Sequence, residues 1–335
     1  MSRDRQPQSS RRSASLRPFG LLFAALFAAG SLASGDAVRA QNPTGNEIPP
    51  AESKVLETKD GVQLQVAWFP GSLEKDSVPI ILMHDWDGRG EDLGALASYL
   101  QGQGHAVIVP DLRGHGNSLR IRGNDDPIDR TKMNKLEIAT MSEDLETCKR
   151  FLMEQNNQGK LNIELLTIVA AGNSTIVAID WALKDWSWPA IAGRKQGQDV
   201  KALVLLSPVK QFKGLNINPA MRNPLLTGRG ATPLSVLIAV GTRGGGAARD
   251  ARGLYESMEK SRPALQLSGS EQDQIRQRLE QQDLFLQEYP VEFQGAALVD
   301  PRARLDLHEK ILGFLNARLV AKADLFRWTD RTPPR

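Results

Sequence analysis

The sequence predicts an α/β fold, with one mostly parallel sheet, helices on both faces and an antiparallel hairpin at its start. Three observations lead there. Apolar runs at 80–83, 106–109, 165–171, 201–206, 234–240 and 284–289 are short and nearly continuous, which marks buried strands. The stretches between several of them carry apolar residues at three- and four-residue spacing, as amphipathic helices do. The chain has 335 residues, enough for one large α/β core. Strands alternating with helices imply right-handed crossovers and hence parallel neighbours.

Taken in order, residues 1–40 read as a signal peptide. Arg3, Arg5, Arg11, Arg12 and Arg17 precede an apolar run over 19–32, and Val38-Arg39-Ala40 offers small residues for cleavage. The run is shorter than a membrane span, so the expectation is export to a periplasmic or external location with cleavage near Ala40, and no membrane span in the mature chain. Residues 41–53 are polar and Pro-rich and read as a flexible linker. The domain is assigned to 54–320 and a C-terminal tail to 321–335. Residues 54–57 and 62–69 form the opening hairpin around Lys59-Asp60-Gly61, and Val62, Leu64, Val66 and Trp68 alternate as a half-exposed strand should. Helices are expected at 91–101, 135–154, 249–260, 270–282 and 305–320. The segment between 206 and 234 contains Pro219, Pro224 and Pro233 and is too short for a large lid domain.

Composition excludes several classes. The leader holds six Arg and two acidic residues; without it 36 basic residues face 37 acidic ones, so the basic whole-chain balance does not argue for nucleic acid. Cys148 is the single cysteine, reads as a small buried apolar residue, and precludes an intrachain disulfide. The four histidines show no metal-ligand spacing, and neither a metal nor another cofactor is expected. Trp181, Trp186 and Trp188 could form a carbohydrate platform, although packing around a helix end is the simpler reading.

The stretch 165–182 runs from an apolar strand through Gly172, Asn173 and Ser174 into a helical pattern. Strand, sharp turn and helix with a serine in the turn is the layout of a nucleophile elbow, in which the helix N-terminus favours developing negative charge. Gly172 fits that pattern, while Ile176 stands where a very small residue is wanted. An ordinary strand-to-helix junction with Ser174 near an N-cap is the alternative.

Three segments together resemble the α/β-hydrolase family. His84-Asp85-Trp86-Asp87-Gly88 follows a strand and looks like the family's HG loop. Pro110-Asp111-Leu112-Arg113-Gly114-His115-Gly116-Asn117-Ser118 carries a DxRGHGxS signature, and the elbow is third. The resemblance implies that fold over 54–320, with Ser174 at the nucleophile position. Trp86 and Thr175 are then the oxyanion-loop candidates, and His84, Asp111, Arg113 and His115 have structural roles. It also implies that the family's acid and base positions fall on Gly244 and Gln294. Neither can act: glycine has no side chain, and a glutamine amide has no useful pKa. Asp85 replaces a glycine in the oxyanion loop, where a carboxylate opposes developing negative charge unless its side chain points away.

The sequence therefore favours an exported α/β-hydrolase-fold protein without hydrolase activity, with an unidentified small ligand or protein partner or a structural role. The alternative is an active serine hydrolase, an esterase or peptidase, in which His308 or His84 reaches Ser174.

Overall fold

The structure, a computed structural model, describes residues 48–189, 191, 195–230, 232–243 and 245–332. The expected leader, the linker up to residue 47 and Gly244 lie outside the described residues.

Eight strands form one sheet in the order β1-β2-β4-β3-β5-β6-β9-β10. Their ranges are β1 Glu52–Glu57, β2 Gln63–Phe69, β3 Pro79–Met83, β4 Ala106–Pro110, β5 Leu166–Ala171, β6 Val200–Leu206, β9 Ser235–Gly241 and β10 Leu284–Tyr289. β1 and β2 pair antiparallel, and β2 is antiparallel to β4. All later neighbours pair in parallel, so the loops after β3, β5, β6, β9 and β10 leave from one edge. A small hairpin, β7 Gln211–Phe212 and β8 Leu215–Asn216, follows β6. All six expected apolar strands lie in the sheet, shifted by no more than a residue at either end. β1 begins inside the stretch read as linker.

Burial follows strand position. β3, β5 and β6 are buried at every residue because both faces are covered, whereas edge strand β1 alternates toward solvent. Ile81, Met83 and Ile108 share one core with α3 Ser142–Asn157, α4 Ser174–Ser187 and α5 Gly246–Ser261. On β3, Ile80 and Leu82 point to the opposite face and are fully buried too. α1 Gly94–Gly102 and α7 Leu307–Arg318 pack together and cover β4, β6 and β9. α6 Glu271–Gln281 buries no residue.

The long helix expected over 135–154 is interrupted. α2 Lys135–Ala139 ends at Thr140, and α3 starts at Ser142. The break is where Arg113 enters: its Nη1 donates to Thr140 Oγ1 at 2.8 Å, and Asp144 accepts from the Arg113 amide and Nε, both at 2.9 Å. Asn134 and Glu137 form a capping box that fixes the start of α2.

The residues set apart as a tail fold back on the sheet's amino edge. Asn162 Nδ2 donates to Phe326 O and Asn156 Nδ2 to Thr329 O, each at 2.9 Å. Arg331 is buried and pairs with Glu164 at 2.6 Å and with Asp199, which also pairs with Lys149 at 2.8 Å. Asp185 completes the cluster through Lys149. Among the described residues no helix is long and apolar enough to cross a membrane.

Candidate functional site

The carboxyl edge of the sheet gathers the loops in which the expected site residues lie. β5 ends at Ala171, and α4 begins at Ser174, so the chain reverses in two residues. Gly172 makes that turn with φ +52°, the left-handed region that glycine adopts without steric cost. Its N–H donates to Leu206 O at 2.8 Å, which holds the turn to β6. The apex residue is therefore Gly172, and Ser174, expected there, lies two residues further on as the first residue of α4. The reason is local: a nucleophile elbow strains the residue directly after the strand, and here that residue is glycine.

Asp85, directly after His84 at the end of β3, turns its side chain into this apex. Its Oδ1 accepts from the Trp86 amide at 2.7 Å and the Asn173 amide at 2.8 Å. These are the amide of the β3 loop and the amide after the apex, the two positions from which this architecture supplies an oxyanion hole. A Cβ on Gly172 would overlap the Asp85 carboxylate, and one on Gly295 would stand 3.3 Å from Oδ2. Burial pushes the Asp85 carboxyl above its ordinary value, against the two amide hydrogen bonds that favour the charged form. Of the two oxyanion candidates, Trp86 does present its amide here. The Thr175 amide instead donates to Gly172 O at 3.3 Å, within the first helical turn, and Asn173 takes the inward position.

Gln294, after β10, adjoins the same apex, since a Cβ on Gly295 would lie 3.7 Å from the Gly172 nitrogen. Its Oε1 accepts from Ser207 Oγ at 2.7 Å, and its Nε2 donates to Gly241 O at 2.8 Å. Ser207 follows β6 and has φ +51°; its hydroxyl oxygen also accepts from the Gly295 amide at 2.9 Å. Gln294 thus links the ends of β6, β9 and β10 through uncharged groups. Gly244, beyond β9, is outside the described residues.

Ser174 is buried, and its hydroxyl donates to Ala171 O at 2.8 Å. The hydrogen bonds of all four histidines go to backbone groups. His84 Nε2 accepts from the Leu112 amide at 3.0 Å, and its Nδ1 lies 2.7 Å from Asp85 O. Burial lowers its pKa to about 4, so the ring is neutral and Nδ1 is the donor. His105 is buried and accepts from the Val78 amide at 3.4 Å. His308 is half-buried against Tyr99 with Nε2 2.7 Å from Val299 O. Asp250 lies inside α5, which starts four residues earlier, and accepts from the Lys210 amide at 3.3 Å.

The DxRGHGxS loop stands beside the site and holds it together. Asp111 accepts from the Gly90 amide at 2.8 Å and the Asn117 amide at 2.9 Å. Arg113 joins Asp60 and Asp144 at 2.6 and 2.8 Å. His115 bridges Arg113 O at 2.9 Å and Trp86 O at 2.8 Å, which ties the β3 loop to this motif. Trp86 then packs on the His115 ring at 5.2 Å and on Phe212 of the β7–β8 hairpin at 5.0 Å, with Lys213 Nζ 4.5 Å from its ring centre. Of the three tryptophans considered as a platform, Trp181 is buried, Trp186 donates to Val200 O at 2.7 Å, and Trp188 alone is exposed.

Sequence reasoning placed Gly172 two residues before the apex rather than at it, and missed that Asp85 engages the Trp86 and Asn173 amides. A signal for the first was present: Ala170 and Ser174 are small residues two before and two after Gly172, the spacing an elbow demands when its apex is Gly172. Among the described residues no three His, Cys, Asp or Glu side chains are grouped so as to hold a metal ion.

No protein-family model matches the chain, and no curated protein sequence matches it. Solved structures do. An esterase from Pyrococcus furiosus superposes with a TM-score of 0.54 at 14% identity, over 82% of this chain and 95% of its own. A thermostable carboxyl esterase from Bacillus coagulans gives 0.54 at 11%, over 81% of this chain and 99% of its own. Identities this low speak for architecture, and they agree with the sheet order and its opening antiparallel pair. The chain has the α/β-hydrolase fold, and among the described residues there is no large lid domain.

Proposed function

We propose that this protein is an exported α/β-hydrolase-fold protein that does not hydrolyse esters or peptides and acts by binding a small ligand or protein partner, or structurally. The observation that carries the reading is Gly172 at the apex of the strand-to-helix turn, with no room for a Cβ beside Asp85. A covalent mechanism needs a nucleophile at that point, a base to take its proton and donors for the oxyanion. Glycine supplies no nucleophile. Gln294 supplies no base, and both of its amide atoms are committed to Ser207 and Gly241. The donors are engaged by Asp85. Export rests on the basic, apolar and small-residue pattern of residues 1–40.

The structural neighbours are esterases, so the competing reading is hydrolysis by Ser174. The test is labelling with a fluorophosphonate probe and turnover of short-chain p-nitrophenyl esters, for the native protein and Ser174→Ala. Neither should exceed the buffer background in either protein. Labelling or turnover that disappears in Ser174→Ala establishes the serine hydrolase instead.

A further inference from the structure

We propose that Asp85 is an intramolecular ligand of a retained anion cradle, and that removing its side chain turns the cradle into a binding site for a small monocarboxylate such as acetate. This deepens the non-hydrolytic reading and rests on it, because it takes the two amides as unused by any reaction.

The cradle is built from separate parts of the chain. Trp86 N–H comes from the loop after β3, and Asn173 N–H from the turn before α4, 88 residues from Asp85. Both meet one carboxylate oxygen, with donor distances of 2.7 and 2.8 Å that suit a charged acceptor. The walls beside that carboxylate are Gly172 and Gly295, both at positive φ and both lacking the Cβ that would crowd it. Each wall is anchored independently of Asp85. Gly172 N donates to Leu206 O, Gly295 N donates to Ser207 Oγ, and Trp86 is held through its carbonyl by His115 and Arg130. The cradle should therefore outlast the loss of the carboxylate it holds. Beyond its Cα, the Asp85 side chain is a CH2–carboxylate group, which is acetate short of one hydrogen. Acetate therefore matches the space vacated in Asp85→Gly in size, charge and hydrogen-bonding capacity.

The experiment compares thermal unfolding of the native protein, Asp85→Gly and Asp85→Asn in sodium acetate and in sodium chloride at equal ionic strength. Asp85→Gly should melt about 2–4 °C higher in acetate once the ligand is well above its dissociation constant. The native protein and Asp85→Asn, whose side chains still fill the cradle, should melt alike in the two salts. Equal melting of Asp85→Gly in both salts, or an acetate effect of the same size in all three proteins, overturns the proposal. Should Asp85→Gly not fold, the amide resonances decide. The Trp86 and Asn173 protons should move together between native protein and Asp85→Asn, as the charged acceptor they share becomes neutral. If neither moves, or only one does, the shared ligand is wrong. Probe labelling that depends on Ser174 would sink the non-hydrolytic reading, whereas absent acetate binding without labelling sinks only this inference.

Discussion

The Asp85 carboxylate accepts the Asn173 amide at 2.8 Å, so a side chain from the loop after β3 occupies the turn after β5. Both neighbours of that contact are constrained by it. Gly172 has φ +52° and no space for a Cβ on the Asp85 side. Gly172→Ala should therefore destabilise the fold twice over, by about 1–2 kcal/mol for the left-handed backbone and by a further ~1–3 kcal/mol for the steric conflict. In an Asp85→Gly background the second part should vanish. A double-mutant cycle by urea denaturation measures the coupling; additive costs would show that the two residues do not share one space.

Ser174 contributes to structure through its buried hydroxyl, which donates to Ala171 O at 2.8 Å and also reaches Met83 O at 3.5 Å. Ser174→Ala should cost about 1 kcal/mol of stability. Differential scanning calorimetry reads it directly, and a cost near zero would mean that the hydroxyl bond is exchanged for another at no loss.

Arg331 closes the buried cluster at the amino edge of the sheet, where Glu164 and Asp199 are its partners. Arg331→Ala leaves Glu164 and Asp199 with lysines alone, Lys195 beside both and Lys149 beside Asp199, so the cost should approach without exceeding the about 3–5 kcal/mol of a buried charge left unpaired. Denaturant unfolding should show a loss of that order. A loss below about 1 kcal/mol, the range of exposed ion pairs, would mean that the C-terminal segment leaves the domain in solution.

Burial lowers the His105 pKa from 6.5 to about 4. The unfolded chain then binds the proton more readily, so this contribution to stability is complete above pH 6.5 and is lost as pH falls toward 4. The loss from this one group is at most about 3 kcal/mol. His105→Asn replaces the Nδ1 acceptor of the Val78 amide with a side-chain amide oxygen and removes the titrating group. Unfolding measured at pH 7 and pH 4.5 should show a smaller decline for His105→Asn than for the native protein. Parallel declines would assign the acid sensitivity elsewhere, with His84, lowered to about 4 by the same burial, the next residue to test.

The leader reading predicts a mature chain beginning near Gln41, which N-terminal sequencing of the exported protein checks. Recovery of residues 19–32 in a membrane fraction would contradict it.

The fold was legible in the sequence because its evidence is periodic and local. Runs such as Ile80-Ile81-Leu82-Met83 must be buried on both faces, and their alternation with helices leaves few topologies. Gln294 was legible too, as a residue type that cannot serve as a base wherever it lies. The interrupted α2–α3 helix and the folded-back C-terminus were not, since Arg113 and Arg331 act on partners far away in sequence. The apex was ambiguous for a related reason. Gly172 and Ser174 both satisfy a spacing rule, and only the left-handed φ at Gly172 shows which of them makes the turn. From sequence, Asp85 could oppose an oxyanion or point away from it. Tertiary structure decided that its side chain turns into the turn after β5, where one carboxyl oxygen accepts two amides from segments distant in sequence.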